Sequence, residues 1–254
     1  MALLELKNVT HIYHSPEGET SALKDVTFTV DEREFVSIVG PSGCGKSTIL
    51  AILAGLLTPS AGEVSIGGSP LNEAKGTTAL MPQRDQLFEW RSIMRNVLLG
   101  PEIQKTKTPE TIEYAKTLLK KYGLIDFTTK RPSELSGGMR QRAALIRTLV
   151  TAPKLLLLDE PFSALDFQTR LQVCDDVADI IKQENKTAIL VTHDINEAIS
   201  MSDKVIVLTE RPASVKKIYS IDLDKSLPPL KRREQKSFAV YFRRIWKDLE
   251  VLHE

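Results

Sequence analysis

Two kinds of hydrophobic spacing alternate along the chain. Short runs rich in β-branched and large apolar residues, Leu3 to Val9, Phe35 to Val39, Glu63 to Ile66, Leu155 to Asp159, Thr187 to Thr192 and Lys204 to Leu208, predict strands. Apolar residues three and four apart predict helices over Lys46 to Leu56, Pro109 to Tyr122, Gly137 to Thr151, Asp166 to Glu184 and Ile195 to Met201. Leu155-Leu156-Leu157-Leu158 is apolar at consecutive positions, the pattern of a central parallel strand covered by helices on both faces. From about 86 to 151 the pattern is helical without strong strands and reads as a helical lobe inserted into an α/β core. Beyond Pro212 it changes again. Pro228-Pro229 interrupts it, and Phe238, Phe242, Ile245, Leu249 and Leu252 then recur four and three apart, one stripe of a helix that also bears Arg243, Arg244 and Lys247.

Composition narrows the function classes. With 254 residues the chain can bury a large core, and 42% hydrophobic with 26% charged residues is ordinary for a soluble protein. A formal net charge of +1, from 34 Lys+Arg against 33 Asp+Glu, lacks the basic field of a nucleic-acid binder. The longest apolar run, Ile49 to Leu57, falls short of the ~20 residues of a spanning helix, and no signal sequence is visible. Cys44 and Cys174 are far apart without zinc or disulfide spacing, so a reducing cytoplasm is expected.

Candidate chemistry begins with Gly40-Pro41-Ser42-Gly43-Cys44-Gly45-Lys46-Ser47-Thr48, which follows a predicted strand and opens a predicted helix. That is the context of a phosphate-binding loop: backbone amides and the helix dipole cradle phosphates, Lys46 reaches the β and γ oxygens, and Ser47 ligates magnesium. Amide dipoles and Lys46 are also expected to favour the Cys44 thiolate and make whatever reaction this loop serves sensitive to thiol reagents. Asp159 and Glu160 end the predicted strand at Leu155, where open α/β sheets place ligands; Asp159 is expected to face the metal through water and Glu160 to act as general base. A second glycine-rich, helix-opening loop, Leu135-Ser136-Gly137-Gly138-Met139-Arg140-Gln141, lacks a lysine and a metal-ligating hydroxyl of its own. It reads as the other jaw of a clamp that closes on a nucleotide bound elsewhere.

These segments, in this order over residues 3 to 212, resemble the ATP-binding subunit of ABC transporters. The resemblance implies a RecA-like P-loop core with a largely parallel sheet, an antiparallel β subdomain and an inserted α-helical subdomain, with a cassette over 1–215 and a tail over 216–254. It further implies that Gln83 senses magnesium and the attacking water, that Ser163-Ala164-Leu165-Asp166 forms the D-loop with Asp166 at the nucleotide site, and that His193 contacts γ-phosphate. Ser136, Gly137, Gly138 and Gln141 belong to the signature loop, and Tyr13 falls where the family stacks an aromatic on adenine, although Tyr13, His11 and His14 also fit strand-end surface positions. Two departures stand out: Asp31-Glu32-Arg33-Glu34 occupies a turn where the family often has glycine, and Leu145-Ile146-Arg147-Thr148-Leu149 replaces the usual Ala-Arg-Ala after the signature helix.

The implied ligands are ATP and Mg2+. The implied partners are a second copy in a head-to-tail homodimer, a membrane permease docking near Gln83 to Arg91, and a solute-binding protein, placing the chain on the cytoplasmic face of the membrane. Phe88 and Trp90 are either contacts for that permease or core residues of the lobe, and the tail stripe either packs on the cassette or meets anionic lipid. Asn185-Lys186-Thr187-Ala188 lacks the acid that would read guanine, which argues against a GTPase. A cassette without fused membrane segments favours an importer; a soluble ATPase of translation or DNA repair, or a separate-subunit exporter, are the rival readings. The segment Glu197 to Leu208, with Glu210-Arg211-Pro212, resembles importers of nitrate, sulfonate and taurine.

Overall fold

The computed structural model describes residues 2–16, 18–74 and 76–250. Five strands form its centre: β3 (Phe35–Val39), β6 (Thr78–Met81), β7 (Leu155–Asp159), β8 (Thr187–Val191) and β9 (Lys204–Leu208), all parallel. An antiparallel edge strand, β10 (Val215–Ser220), completes a sheet ordered β10-β9-β3-β8-β7-β6. The consecutive leucines of β7 divide between two cores: Leu155 and Leu157 face one, Leu156 and Leu158 the other. Ile189 and Val191 of β8 join the first core, and Ala188 and Leu190 the second. Strands buried on both faces need apolar side chains at every position, which is why this run shows no alternation.

The first core lies under a second sheet, β2-β1-β4-β5, built from β1 (Ala2–Ser15), β2 (Gly18–Asp31), β4 (Ala61–Ile66) and β5 (Ser69–Pro70). Its pairings are antiparallel. β1 runs beyond the predicted Val9, and β2 had no counterpart in the hydrophobic pattern. The pattern fails there because register shifts interrupt the hairpin and Asn8 and Asp25 both adopt φ near +50°, so inward and outward positions lose their period of two.

Helix α1 (Lys46–Leu53) ends three residues before the predicted Leu56, and Gly55 follows at φ +71°. The inserted lobe holds α2 (Ile93–Val97), α3 (Leu99–Ile103), α4 (Pro109–Lys121) and α5 (Gly137–Leu149), packed on the second core. Next come α6 (Phe167–Gln183) and α7 (Ile195–Met201), capped by the side chains of Asp166 and Asp194. β10 crosses the 215/216 boundary expected from the sequence, so the sheet continues into the segment assigned to the tail. The tail proper carries α8 (Pro229–Arg232) and α9 (Lys236–Glu250).

The α9 stripe is packed on this chain's own third core, formed with α7, β9 and β10. Phe238 and Ile245 are buried there, with Tyr241, Phe242 and Leu249 half-buried beside them. Leu252 lies outside the described residues. Tyr219 Oη donates to Asp248 Oδ2 at 2.5 Å and fixes the helix against the edge strand. Among the described residues no helix is long and apolar enough to cross a membrane. Ile245→Ala removes a fully buried anchor and is expected to cost about 2–5 kcal/mol in urea unfolding followed by circular dichroism. A change below about 0.5 kcal/mol would show that α9 is not part of the cooperative fold.

Candidate functional site

The carboxyl ends of β3, β7 and β8 lie side by side, and each delivers one part of the site. Val39 ends β3, and the loop from Gly40 turns back into α1. Its glycines are required by space. Gly45 sits at φ +132°, and a Cβ there would stand 2.8 Å from Leu23 Cδ2 and 3.0 Å from the Ala22 carbonyl. Lys46 Nζ donates to the carbonyls of Gly40 and Pro41, both at 2.8 Å, so the ammonium is held inside its own loop. Ser42, Gly43 and Ser47 are exposed beside it, while Thr48 is buried and its Oγ1 lies 3.2 Å from Tyr13 Oη. Tyr13 is 39% exposed and edge-on to His11, with ring centroids 4.6 Å apart. An aromatic ring exposed to this extent beside the loop is suited to stacking on a base.

Cys44 departs from expectation. Its side chain is buried, and a Cβ placed on Gly40 would lie 3.0 Å from its sulfur, so the thiol faces into the fold. Burial pushes the thiol pKa up, outweighing the Lys46 charge and the backbone amides that pull it down. The expected thiolate, and the reagent sensitivity built on it, are therefore corrected: this is an inert packed cysteine.

Asp159 ends β7 and Glu160 follows it. Glu160 takes φ +43°, a left-handed turn, and its backbone N–H donates to Val191 O at 2.9 Å, which ties the end of β7 to the end of β8. Burial and the neighbouring Glu160 charge raise the Asp159 pKa against the pull of Lys46. His193, just after β8, places Nδ1 3.0 Å from Glu160 Oε2. From the opposite side, Gln83 Nε2 donates to Ser163 Oγ at 3.2 Å, and that hydroxyl donates to Glu160 O at 3.0 Å. Thus Gln83, Ser163, Glu160 and His193 form one hydrogen-bonded row across three strand ends.

Ser163 was not singled out by the sequence reading, although it opens the Ser163 to Asp166 segment. Two arginines of α5 were also missed: Arg147 donates to the carbonyls of Asp85 and Gln86 at 2.7 Å each, and Arg140 pairs with Asp85 at 3.3 Å. They brace the segment after Gln83 against the helix opened by Ser136. Their signal was spacing, since positions seven apart share one helix face.

Ser136 caps α5 by accepting from Met139 N at 3.3 Å, and Asp166 caps α6 by accepting from Thr169 N at 3.0 Å. Ser136, Gly137, Gly138 and Asp166 line one cleft of about 280 Å³, which no residue of the first glycine loop lines. Gly138 is needed for closeness: a Cβ there would stand 3.0 Å from Val173 Cγ2 on α6. Gln141 is buried and, with Arg84, Asp85 and Glu89, lines the neighbouring cavity, which shares Gly137 with the Ser136 cleft. Phe88 is half-buried, whereas Trp90 is 73% exposed and stacks on it with centroids 4.6 Å apart. Trp90 is therefore not a core residue of the lobe.

Residues 23–163 match the family described as ABC transporter, more than half of the chain. The chain belongs to that family. The ABC transporter ATP-binding protein YtlC of Bacillus subtilis is 48% identical over 255 residues, spanning 100% of this chain and 98% of that protein. The nitrate import ATP-binding protein NrtD of Synechocystis is 36% identical over 220 residues, 87% of this chain and 83% of its own. Among solved structures, the ATP-binding cassette MJ0796, a dimer in a post-hydrolysis state bound to ADP and Pi, superposes with a TM-score of 0.72 at 33% identity, covering 86% of this chain and 98% of that one. As a member of the family, the protein is an ATP hydrolase that serves as a transporter subunit.

The raised Asp159 pKa has a sign that can be tested. Its charged form is disfavoured by folding, so this group's contribution to stability is full below the ordinary carboxylate range and lost as pH rises through the folded-state pKa. Asp159→Asn removes that penalty. Without nucleotide or metal it is expected to melt above wild type near about pH 7.5, with the difference closing as pH falls below about 4. A lower Tm at neutral pH would contradict the burial argument.

Proposed function

We propose that this chain is the ATP-hydrolysing subunit of a small-solute importer and that two copies close head to tail on two ATP molecules. The observation that carries the dimer is the separation of two phosphate-type loops: the cleft of Ser136, Gly137, Gly138 and Asp166 contains no residue of the Gly40 to Thr48 loop. Each loop then completes the other copy's site, in keeping with the dimeric assembly of MJ0796.

Hydrolysis follows from the row of hydrogen bonds. ATP phosphates sit on the backbone amides of the first loop, and Lys46 exchanges the Gly40 and Pro41 carbonyls for phosphate oxygens. A water oxygen attacks the γ-phosphorus as the bond to the β,γ-bridging oxygen breaks, and its proton passes to the Glu160 carboxylate. His193 orients that carboxylate and approaches the γ-phosphate, and Gln83 lies across the same opening. Ser47 Oγ, Gln83 Oε1 and Asp159 are hard oxygen donors suited to Mg2+, and Gln83 Oε1 is left available because its amide nitrogen makes the Ser163 bond. Bound there, the ion supplies neutralisation of phosphate charge.

Opening and closing of the clamp would reach a separate permease through Gln83 to Arg91, with the exposed Trp90 as a contact, at the cytoplasmic face of the membrane. Relatives that serve nitrate and taurine import support import of a small solute, delivered by a separate binding protein. Glu160→Gln is expected to lower ATP turnover by about 10²- to 10⁴-fold and to elute as an ATP-loaded dimer in size-exclusion chromatography with light scattering. Wild-type turnover, or a monomer at saturating ATP, would reject Glu160 as the base. Ser136→Arg is expected to retain ATP binding, read by equilibrium dialysis, while losing hydrolysis; normal hydrolysis would overturn the two-copy site.

A further inference from the structure

At the amino-terminal end of the parallel sheet, opposite the nucleotide loops, a cavity of about 250 Å³ opens between α6, β3 and the tail. Its wall carries five cations, Arg33, Lys182, Lys186, Lys225 and Arg232, against one carboxylate, Asp203. That carboxylate is already engaged, 2.5 Å from Lys225 Nζ and accepting from Phe35 N at 2.8 Å. Arg232 is buried, donates to the carbonyls of Leu227, Ser200 and Lys225, and has the Asp203, Asp224 and Asp175 carboxylates near enough to favour its charge, which leaves the other cations to meet a ligand. Lys182 and Lys186 likewise bond carbonyls, of Lys225 and Pro153. Lys182 can be read as offsetting the dipole at the end of α6.

Arg33 has no such role. It lies in the turn between β2 and β3 and forms no ion pair among the described residues. It is held at φ +62°, a conformation that glycine adopts freely and an arginine only under strain. A backbone bond from its N–H to Thr187 Oγ1, 2.8 Å, fixes the turn whatever the side chain, so the arginine is not needed to build it. Arg33 also lines an adjoining cavity with Lys154 and Lys186, three cations against the single carboxylate of Glu32. The floor is apolar, formed by Phe35, Ile181 and Met201.

We propose that this cleft binds a small, multiply charged organic anion, a polycarboxylate or a phosphate ester, with Arg33 and Lys182 as ligands and the apolar floor receiving its carbon skeleton. The site is separate from ATP binding: β3 enters the cavity at Phe35 and reaches the phosphate loop only after Val39. α6 and α7 start at Asp166 and next to His193 and end here, so an occupant would touch the far ends of both helices.

Calorimetric titration of the full chain with citrate and, separately, with 3-phosphoglycerate tests this in wild-type, Arg33→Gly and Lys182→Ala proteins. Any binding at the nucleotide loop is common to all three and drops out of the comparison. Wild type is expected to bind one of these probes with a Kd below ~1 mM, and each substitution to weaken it at least ~10-fold. The better probe tells a carboxylate from a phosphate ester. Because it relieves the left-handed strain, Arg33→Gly should melt at or above the wild-type temperature, which separates lost binding from lost folding. Absence of binding to both probes at about 10 mM, or undiminished binding by Arg33→Gly, overturns the proposal.

Discussion

The lateral pairing of β3, β8 and β7 is the constraint on which everything else rests. Val191 stands opposite Ile38 on one side and Asp159 on the other, so three strand ends from distant parts of the sequence finish at one level. Parallel strands can be joined only by long crossovers, which here are the helices that cover both faces. Burial of both faces removes the freedom to slip register, because a one-residue shift would move every side chain into the wrong core. Rigidity of the scaffold thus becomes precision at the site. The phosphate loop, the Asp159-Glu160 pair and His193 are neighbours because apolar strands have one good way to pair.

Onto this frame a thin polar row is hung. Glu160 is held from below by its own backbone bond to Val191, from one side by Ser163 and from the other by His193. Its left-handed backbone is the kind of local cost that a packed scaffold can carry and a loose loop cannot. The burial that raises the Asp159 pKa has the same origin: a carboxylate placed where water is scarce is costly to the free protein and useful to a cation. Gln83 reaches this row through one hydroxyl, while Arg140 and Arg147 brace the following segment on α5. The loop after β6 is thereby mechanically connected to both the polar row and the second glycine loop.

The tail shows the same economy. A helix with a strong apolar stripe and a basic face suggests lipid when read alone. In the fold its stripe is used up against α7, β9 and β10, and Arg232 of α8 reaches the Ser200 carbonyl near the end of α7. The cleft below it gathers five cations, of which Lys225 is paired with Asp203 and Arg33 forms no ion pair among the described residues.

Much of the architecture and most of the candidate site could be read from residue order. Continuous apolar runs located the parallel strands and 3.6-residue spacing the long helices, because buried faces tolerate few substitutions. The glycine loops, the acid pair, Gln83 and His193 were legible because their chemistry demands particular residues at particular intervals. What escaped was whatever depends on who the neighbour is. β2 was hidden by register shifts in the hairpin, and Ser163 looked like any loop serine until its hydroxyl fell between Gln83 and Glu160. Cys44 shows the limit most clearly. Sequence placed it among amides and a lysine, which favour a thiolate, but only the tertiary structure decided that its sulfur turns inward, where desolvation outweighs both.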